Sequence, residues 1–164
     1  MSIETIAVVG AGTMGSGIAQ VFAQSGLKTI LYDTKIEAIE KGMQGIRKSL
    51  NFLVGKEKIS AKEATNTLKR IAVTEEIKNC RADLIIEAVV ENLDIKKQLF
   101  NALATINNPE TILATNTSSL SVSAIQSDVP FPQRVIGIHF FNPAQAMRLV
   151  EVVEGNATDT LTLN

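Results

Sequence analysis

The first apolar run of the chain, Thr5–Val9, passes without a break into Gly10-Ala11-Gly12-Thr13-Met14-Gly15. No other feature restricts the fold as much. A compact apolar run that meets glycines reads as a buried strand. After it, Met14, Ile18, Val21 and Phe22 fall on one helical face, and Gly26 marks a stop. Strand, G-x-G-x-x-G turn and helix together open a βαβ unit that binds a dinucleotide. Gly10 permits the tight turn, Gly12 lets a pyrophosphate approach the backbone, and Gly15 lets the helix lie close on the strand. The helix start at Thr13 and Met14 offers free N–H groups and partial positive charge to phosphates. Asp33 closes the next apolar run, 23 positions after Gly10. A carboxylate at that offset accepts hydrogen bonds from an adenosine ribose and repels a 2′-phosphate, so NAD is favoured over NADP. Lys35, close by, weighs the other way. The plainer alternative is a simple turn, with Asp33 capping a helix.

The remaining pattern alternates strand and helix. Runs at 29–32, 71–73, 84–90, 111–115, 135–139 and 149–153 read as strands. Ile36, Ile39, Met43, Ile46, Leu50 and Leu53 define a long amphipathic helix. Ser60-Ala61-Lys62-Glu63 has the form of a capping box and predicts a helix ending near Arg70. Ile95, Leu99, Leu103 and Ile106 mark another helix face, and 122–126 a short helix. Such alternation predicts an α/β fold, a Rossmann-type doubly wound, mostly parallel sheet with helices on both faces. At 164 residues the chain has the size of one domain, expected over 1–164.

Composition removes several function classes. Sixteen Lys and Arg against 17 Asp and Glu give a net charge of −1, with no basic run, which argues against a nucleic-acid partner. One histidine and one cysteine leave no disulfide framework and no His/Cys zinc site, so no metal is expected. Cys80 reads as a small buried or half-buried hydrophobe. The start of the chain lacks the basic segment and long apolar run of a signal or membrane span. No membrane partner and a cytoplasmic location are expected.

A second constellation surrounds the single histidine. His139 ends a strand in the second half of the sheet, where ligands meet the carboxyl ends of strands. Glu151 follows 12 residues later inside an apolar run. A carboxylate is expensive to bury without a partner, and His139 would be one. The pair would fix the imidazole tautomer and support a general base for alcohol oxidation. Asn116-Thr117-Ser118-Ser119 supplies amide and hydroxyl groups at the same edge. The plainer alternatives are a structural histidine, a Glu151–Arg148 surface pair, and Asn116 and the serines as helix caps. The mixed charges of 56–62 read as a solvated loop that could meet an anionic substrate tail.

Taken together, the segments VVGAGTMGSGIAQVFAQSG, EAVVENLDIKKQLF, LATNTSSLSVSAI and GIHFFNPAQAMRLVEVV resemble the NAD-binding domain of the L-3-hydroxyacyl-CoA dehydrogenase family. They are most similar to its bacterial 3-hydroxybutyryl-CoA members, and HFFNP followed by LVEVV is the most distinctive part. The resemblance implies NAD as cofactor and an acyl-CoA as substrate. It implies contacts to NAD at Gly10, Gly12, Thr13, Met14, Gly15, Asp33, Glu91 and Lys96. It makes His139 the base that takes the 3-hydroxyl proton, Glu151 its partner, and Ser118 and Asn142 neighbours of the substrate oxygen and the nicotinamide ribose. Ser49 and Lys56, with Ser118, match substrate-binding positions. Members of the family continue into a helical domain that completes the pocket and makes a homodimer. This chain is therefore expected to represent the NAD-binding half, weakly active or inactive alone. The readings left open are a dehydrogenase of another hydroxy acid on the same scaffold and a non-catalytic NAD-binding module.

Overall fold

A computed structural model describes residues 2–164. The elements run β1 (Thr5–Val9), α1 (Thr13–Gln24), β2 (Lys28–Tyr32), α2 (Ile36–Gly55), α3 (Ala61–Lys69) and β3 (Ile71–Thr74). The second half follows as β4 (Leu84–Glu87), α4 (Leu93–Ile106), β5 (Ile112–Thr115), α5 (Val122–Gln126), β6 (Val135–Phe140), β7 (Val150–Glu154) and α6 (Thr160–Leu163). Single 3₁₀ turns at Ile77–Asn79 and Pro132–Arg134 precede β4 and β6. The strands form one sheet in the order β3-β2-β1-β4-β5-β6-β7. All neighbours are parallel except β6 and β7, which are antiparallel. The chain thus crosses from one half of the sheet to the other between β1 and β4, the switch point of a doubly wound fold.

The central strands are apolar along their whole length because both faces are covered. Ile6 and Val8 of β1 pack with Leu31, Ile86 and the helices α1 and α2. Ala7 and Val9 of the same strand point the other way, against Phe100, Leu103 and Ile125. Cys80 is fully buried in this second cluster, and burial pushes its thiol up to about 11. It is an inert packing residue. The capping box at Ser60 and Glu63 is fully formed and starts α3.

Three details depart from the sequence expectation. The run 84–90 is strand only to Glu87, because the backbone then turns and Val89 N donates to Glu87 Oε1 at 2.7 Å. Val90 is left 64% exposed. On α4 Leu103 is buried and Leu99 and Ile106 pack partly buried against the core, but Ile95 is 44% exposed and Lys96 and Phe100 join the buried face instead. Finally, β7 is an exposed edge rather than a buried strand, so Glu151 lies at the surface.

Candidate active site

The cofactor end starts where β1 stops. Gly10 has φ +105, and a Cβ there would stand 2.7 Å from the Ala88 carbonyl oxygen, so only glycine fits. At Gly15 a Cβ would come within 1.7 Å of the Gly10 carbonyl oxygen, which sets how closely α1 lies on the turn. Helix α1 has no side-chain cap and no acidic residue in its first turn. Its N-terminal N–H groups and dipole are left for an anion. Asp33 does not cap α2, whose N-cap is Lys35. It instead accepts from Ala11 N at 2.9 Å and from Lys35 N at 3.2 Å, which fixes the carboxylate beside the glycine turn. A cleft of about 440 Å³ opens here, lined by Gly12, Thr13, Ser16 and, from α2, Lys41, Gly42 and Gly45. A hollow of about 490 Å³ at the opposite end of the sheet, beside Asp83 and Thr111, touches none of these residues.

Across the switch point, β4 delivers Glu87 into the interior with no exposure. Lys96 Nζ donates to Glu87 Oε1 at 2.6 Å, and Thr115 Oγ1 donates to Glu87 Oε2 at 2.8 Å. The ammonium, itself 1% exposed, also reaches Glu91 Oε2 at 3.1 Å. Glu91 further accepts from the Thr117 hydroxyl and from Ser119 Oγ. Burial pushes the Glu91 carboxyl up, but the hydrogen bonds from Thr117, Lys96 and Ser119 outweigh it and hold the group below the ordinary Glu value. Glu91 is therefore ionised at neutral pH.

Two strands further, His139 stands directly opposite Glu151 in the β6–β7 register. Nδ1 and Glu151 Oε2 are 2.9 Å apart. The antiparallel return explains the spacing in the sequence: the chain leaves β6, turns through 141–149 and comes back one residue opposite the other. The His139 side chain is 20% exposed and that of Glu151 53%. Phe141 packs against the imidazole, with ring centroids 4.7 Å apart. Asn116 neither caps α5 nor faces solvent alone. Its Oδ1 accepts from Phe140 N at 2.8 Å, tying the β5 loop to the end of β6, while Ser121 caps α5. Ser118 is exposed in the β5 loop and Asn142 is exposed just after β6.

The 3-hydroxyacyl-CoA dehydrogenase NAD-binding domain model matches residues 5–164. The chain belongs to this family. Among its relatives, the 3-hydroxyadipyl-CoA dehydrogenase of Escherichia coli K12 is 48% identical over 96% of this chain and 34% of that protein. A probable 3-hydroxybutyryl-CoA dehydrogenase of Bacillus subtilis is 43% identical over 99% of this chain and 57% of that protein. The crystal structure of 3-hydroxybutyryl-CoA dehydrogenase from E. coli K12 superposes with a TM-score of 0.97 at 46% identity, covering 99% of this chain and 35% of that one. The chain thus spans about a third to just over half of the relatives it matches.

The residues of this NAD-binding domain fit its cofactor. Nothing lies within 4 Å of where a Gly12 Cβ would be, so the turn leaves open space in front of an uncapped helix start. A doubly wound sheet seats a dinucleotide across its switch point, with Asp33 on the β2 side of it and His139 on the β6 side. Lys96 is enclosed by two carboxylates, so Glu91 is the exposed member of that cluster. Ser49 and Lys56 are not brought into this edge. Gly42 touches the glycine turn, and Ser49 and Lys56 lie roughly 10 and 20 Å further along α2 at 1.5 Å per residue. Sequence reasoning overlooked Glu87, Thr115 and the bridging role of Asn116. The available signal was an acid closing the apolar run Leu84-Ile85-Ile86, with a lysine nine residues on. Among the described residues no helix is long and apolar enough to cross a membrane, and no group of three His, Cys, Asp or Glu is placed to hold a metal.

Proposed function

We propose that this chain is the cofactor-binding half of an NAD-dependent dehydrogenase that interconverts L-3-hydroxyacyl-CoA and 3-oxoacyl-CoA. The observation that carries the reading is the His139–Glu151 pair at the carboxyl edge, on the reactive side of the switch point. With Nδ1–H donating to Glu151, the Nε2 lone pair is free to act as base. Nε2 takes the proton of the 3-hydroxyl during oxidation and returns it to the developing alkoxide during reduction. Glu151 stabilises the imidazolium in between and holds the ring in place, helped by Phe141. Bound NAD supplies the acceptor for the hydride of C3. Ser118 and Asn142 stand at the same edge as donors toward the substrate oxygen and the nicotinamide ribose. Asp33 and the turn Gly10 to Gly15 hold the adenosine and pyrophosphate.

Ser49 and Lys56 suit a substrate as extended as a CoA thioester, whose nucleotide end lies far from its reacting carbon. The relatives' names differ in acyl group, hydroxyadipyl in one and hydroxybutyryl in another, so the substrate class is 3-hydroxyacyl-CoA. Leu149, Val152 and Val153 are 57%, 55% and 45% exposed, an apolar edge suited to the helical domain of the family. That domain would close the acyl pocket and carry the dimer contact.

The test is NADH consumption with acetoacetyl-CoA, by this chain alone and joined to a relative's helical domain. Positioning errors of about 1 Å cost on the order of 10²-fold, so the isolated chain should be about a hundredfold slower. An extended form that reduces other oxo acids and leaves acetoacetyl-CoA untouched would sink the substrate assignment. Equal rates for both forms would sink the dependence on a second domain.

A further inference from the structure

The cluster around Glu87 contains more than packing requires. Glu87 and Lys96 are 0% and 1% exposed and satisfy each other at 2.6 Å. With Thr115 Oγ1 and Val89 N they already tie β4 to β5 and α4. Glu91 adds a second carboxylate to the same ammonium, at 3.1 Å, with its side chain 39% exposed. Two carboxylates around one ammonium leave one negative charge. Because Glu87 and Lys96 are enclosed, that charge can be presented outward only at Glu91. Thr117 and Ser119 of the β5 loop hold it there.

The location gives the charge a purpose. The glycine turn and Asp33 serve the β1–β2 side, whereas Glu91 stands on the β4–β5 side, next to the loop that Asn116 ties to the strand of His139. On the proposed function, on which this inference rests, the reacting end of the dinucleotide lies there, since it has to meet His139. We propose that the Glu87–Lys96–Glu91 cluster determines cofactor oxidation-state preference, favouring the positively charged oxidised nicotinamide over the neutral reduced ring. Glu91 is the residue that senses the ring's charge. Glu87 is a positioning residue that acts through Lys96 and keeps the Glu91 carboxylate from turning to solvent.

Calorimetric titration of the chain with NAD⁺, NADH and ADP-ribose tests this, because ADP-ribose lacks the nicotinamide altogether. Glu91→Gln should weaken NAD⁺ about tenfold, the order for one unit charge across several ångströms at a partly exposed site. NADH and ADP-ribose should stay within about twofold. The double variant Glu87→Gln with Lys96→Met removes the buried pair without leaving a lone charge. The net charge of the cluster stays at −1, but without its ammonium the Glu91 carboxylate is free to turn toward solvent, so the NAD⁺ to NADH ratio should narrow in the same direction while ADP-ribose binds as before. Parallel weakening of all three ligands would make the cluster purely structural and overturn the proposal. So would an unchanged ratio in Glu91→Gln, a surface substitution that leaves the core intact and decides the matter without the double variant.

Discussion

Strands β4 and β7 both carry a carboxylate near the carboxyl edge of the sheet, and treat it in opposite ways. All four residues of β4 are buried, and Glu87 at its end has no exposure. All five residues of β7 are exposed, and the Glu151 side chain keeps 53% of its surface in water. Glu87 accepts from Lys96, Thr115 and Val89, so its bonds tie it to neighbouring elements of the interior. Glu151 has a single partner, the His139 ring. On the proposed function the difference separates two tasks. Holding a cofactor needs fixed charges in a rigid interior, where every polar group is satisfied. Moving a proton needs an imidazole whose partner tolerates both of its states and whose other nitrogen can be reached.

If that division is right, substitutions should separate chemistry from integrity. The largest effect belongs to His139→Ala in a form joined to the helical domain. Turnover should fall by about 10²- to 10⁴-fold, the usual value of general acid–base catalysis, with the melting temperature and NAD affinity nearly unchanged. Loss of NAD binding in this variant, measured by calorimetry, would break the comparison, since the exposed edge would then be part of the cofactor cradle.

Lys96→Met should do the reverse. It leaves Glu87 as an uncompensated buried carboxylate, and breaking such a pair typically costs about 3 to 5 kcal/mol. Urea unfolding should show this loss on the isolated chain. A change below about 1 kcal/mol would mean that Glu87 reaches water or another donor, and that the interior is less closed than its exposure indicates.

How much of this contrast is legible in the sequence follows from the range of the interactions. The turn Gly10 to Gly15, the two-faced apolar strands and the capping box at Ser60 are local patterns, and each element forms where its pattern stands. The carboxylate of Asp33 and the pairing of His139 with Glu151 also show, because each depends on neighbouring strands. Glu87 does not show, because its partners come from α4 and β5, and its cost of burial is invisible until they converge. The same convergence buries Lys96 at the start of α4, where hydrophobicity alone favours Ile95, while Leu99, Leu103 and Ile106 keep the core side. The edge position of β7 was hidden for a different reason: five residues of Val and Glu read equally well as a covered strand and as a surface awaiting a partner.

A smaller effect concerns cofactor choice. Asp33→Ala should lower the preference for NAD over NADP about tenfold, by removing a ribose acceptor and a repulsive charge. Because Asp33 also holds Ala11 N, part of the loss should appear as weaker binding of both. Equal binding of NAD and NADP by the unmodified chain would remove Asp33 from the cradle.

The smallest effect lies in acid stability, and it sets the two regions side by side once more. Asp83 accepts from Glu4 N and Thr5 N, and these backbone bonds hold its carboxyl below the ordinary Asp value. Asp159 is held low chiefly by its bond from Thr162 N at the start of α6. For a group whose folded pKa is depressed, the unfolded chain binds the proton more readily. Its contribution is therefore complete above the unfolded pKa of about 4 and is lost as pH falls through the lower folded value. Melting temperature should be flat from about pH 7 to 5 and drop below about pH 4. Asp83 joins the starts of β1 and β4 across 79 residues of chain, so Asp83→Asn should lower stability at pH 7 and flatten the acid drop of the whole domain. Asp159 caps a four-residue helix after the exposed edge and stands 3.8 Å from the Arg134 guanidinium. Asp159→Asn should leave the global melt in place and speed amide exchange of Leu161 to Asn164 alone. An equal shift of the global melt in both variants would show that the edge around β7 unfolds together with the cofactor half.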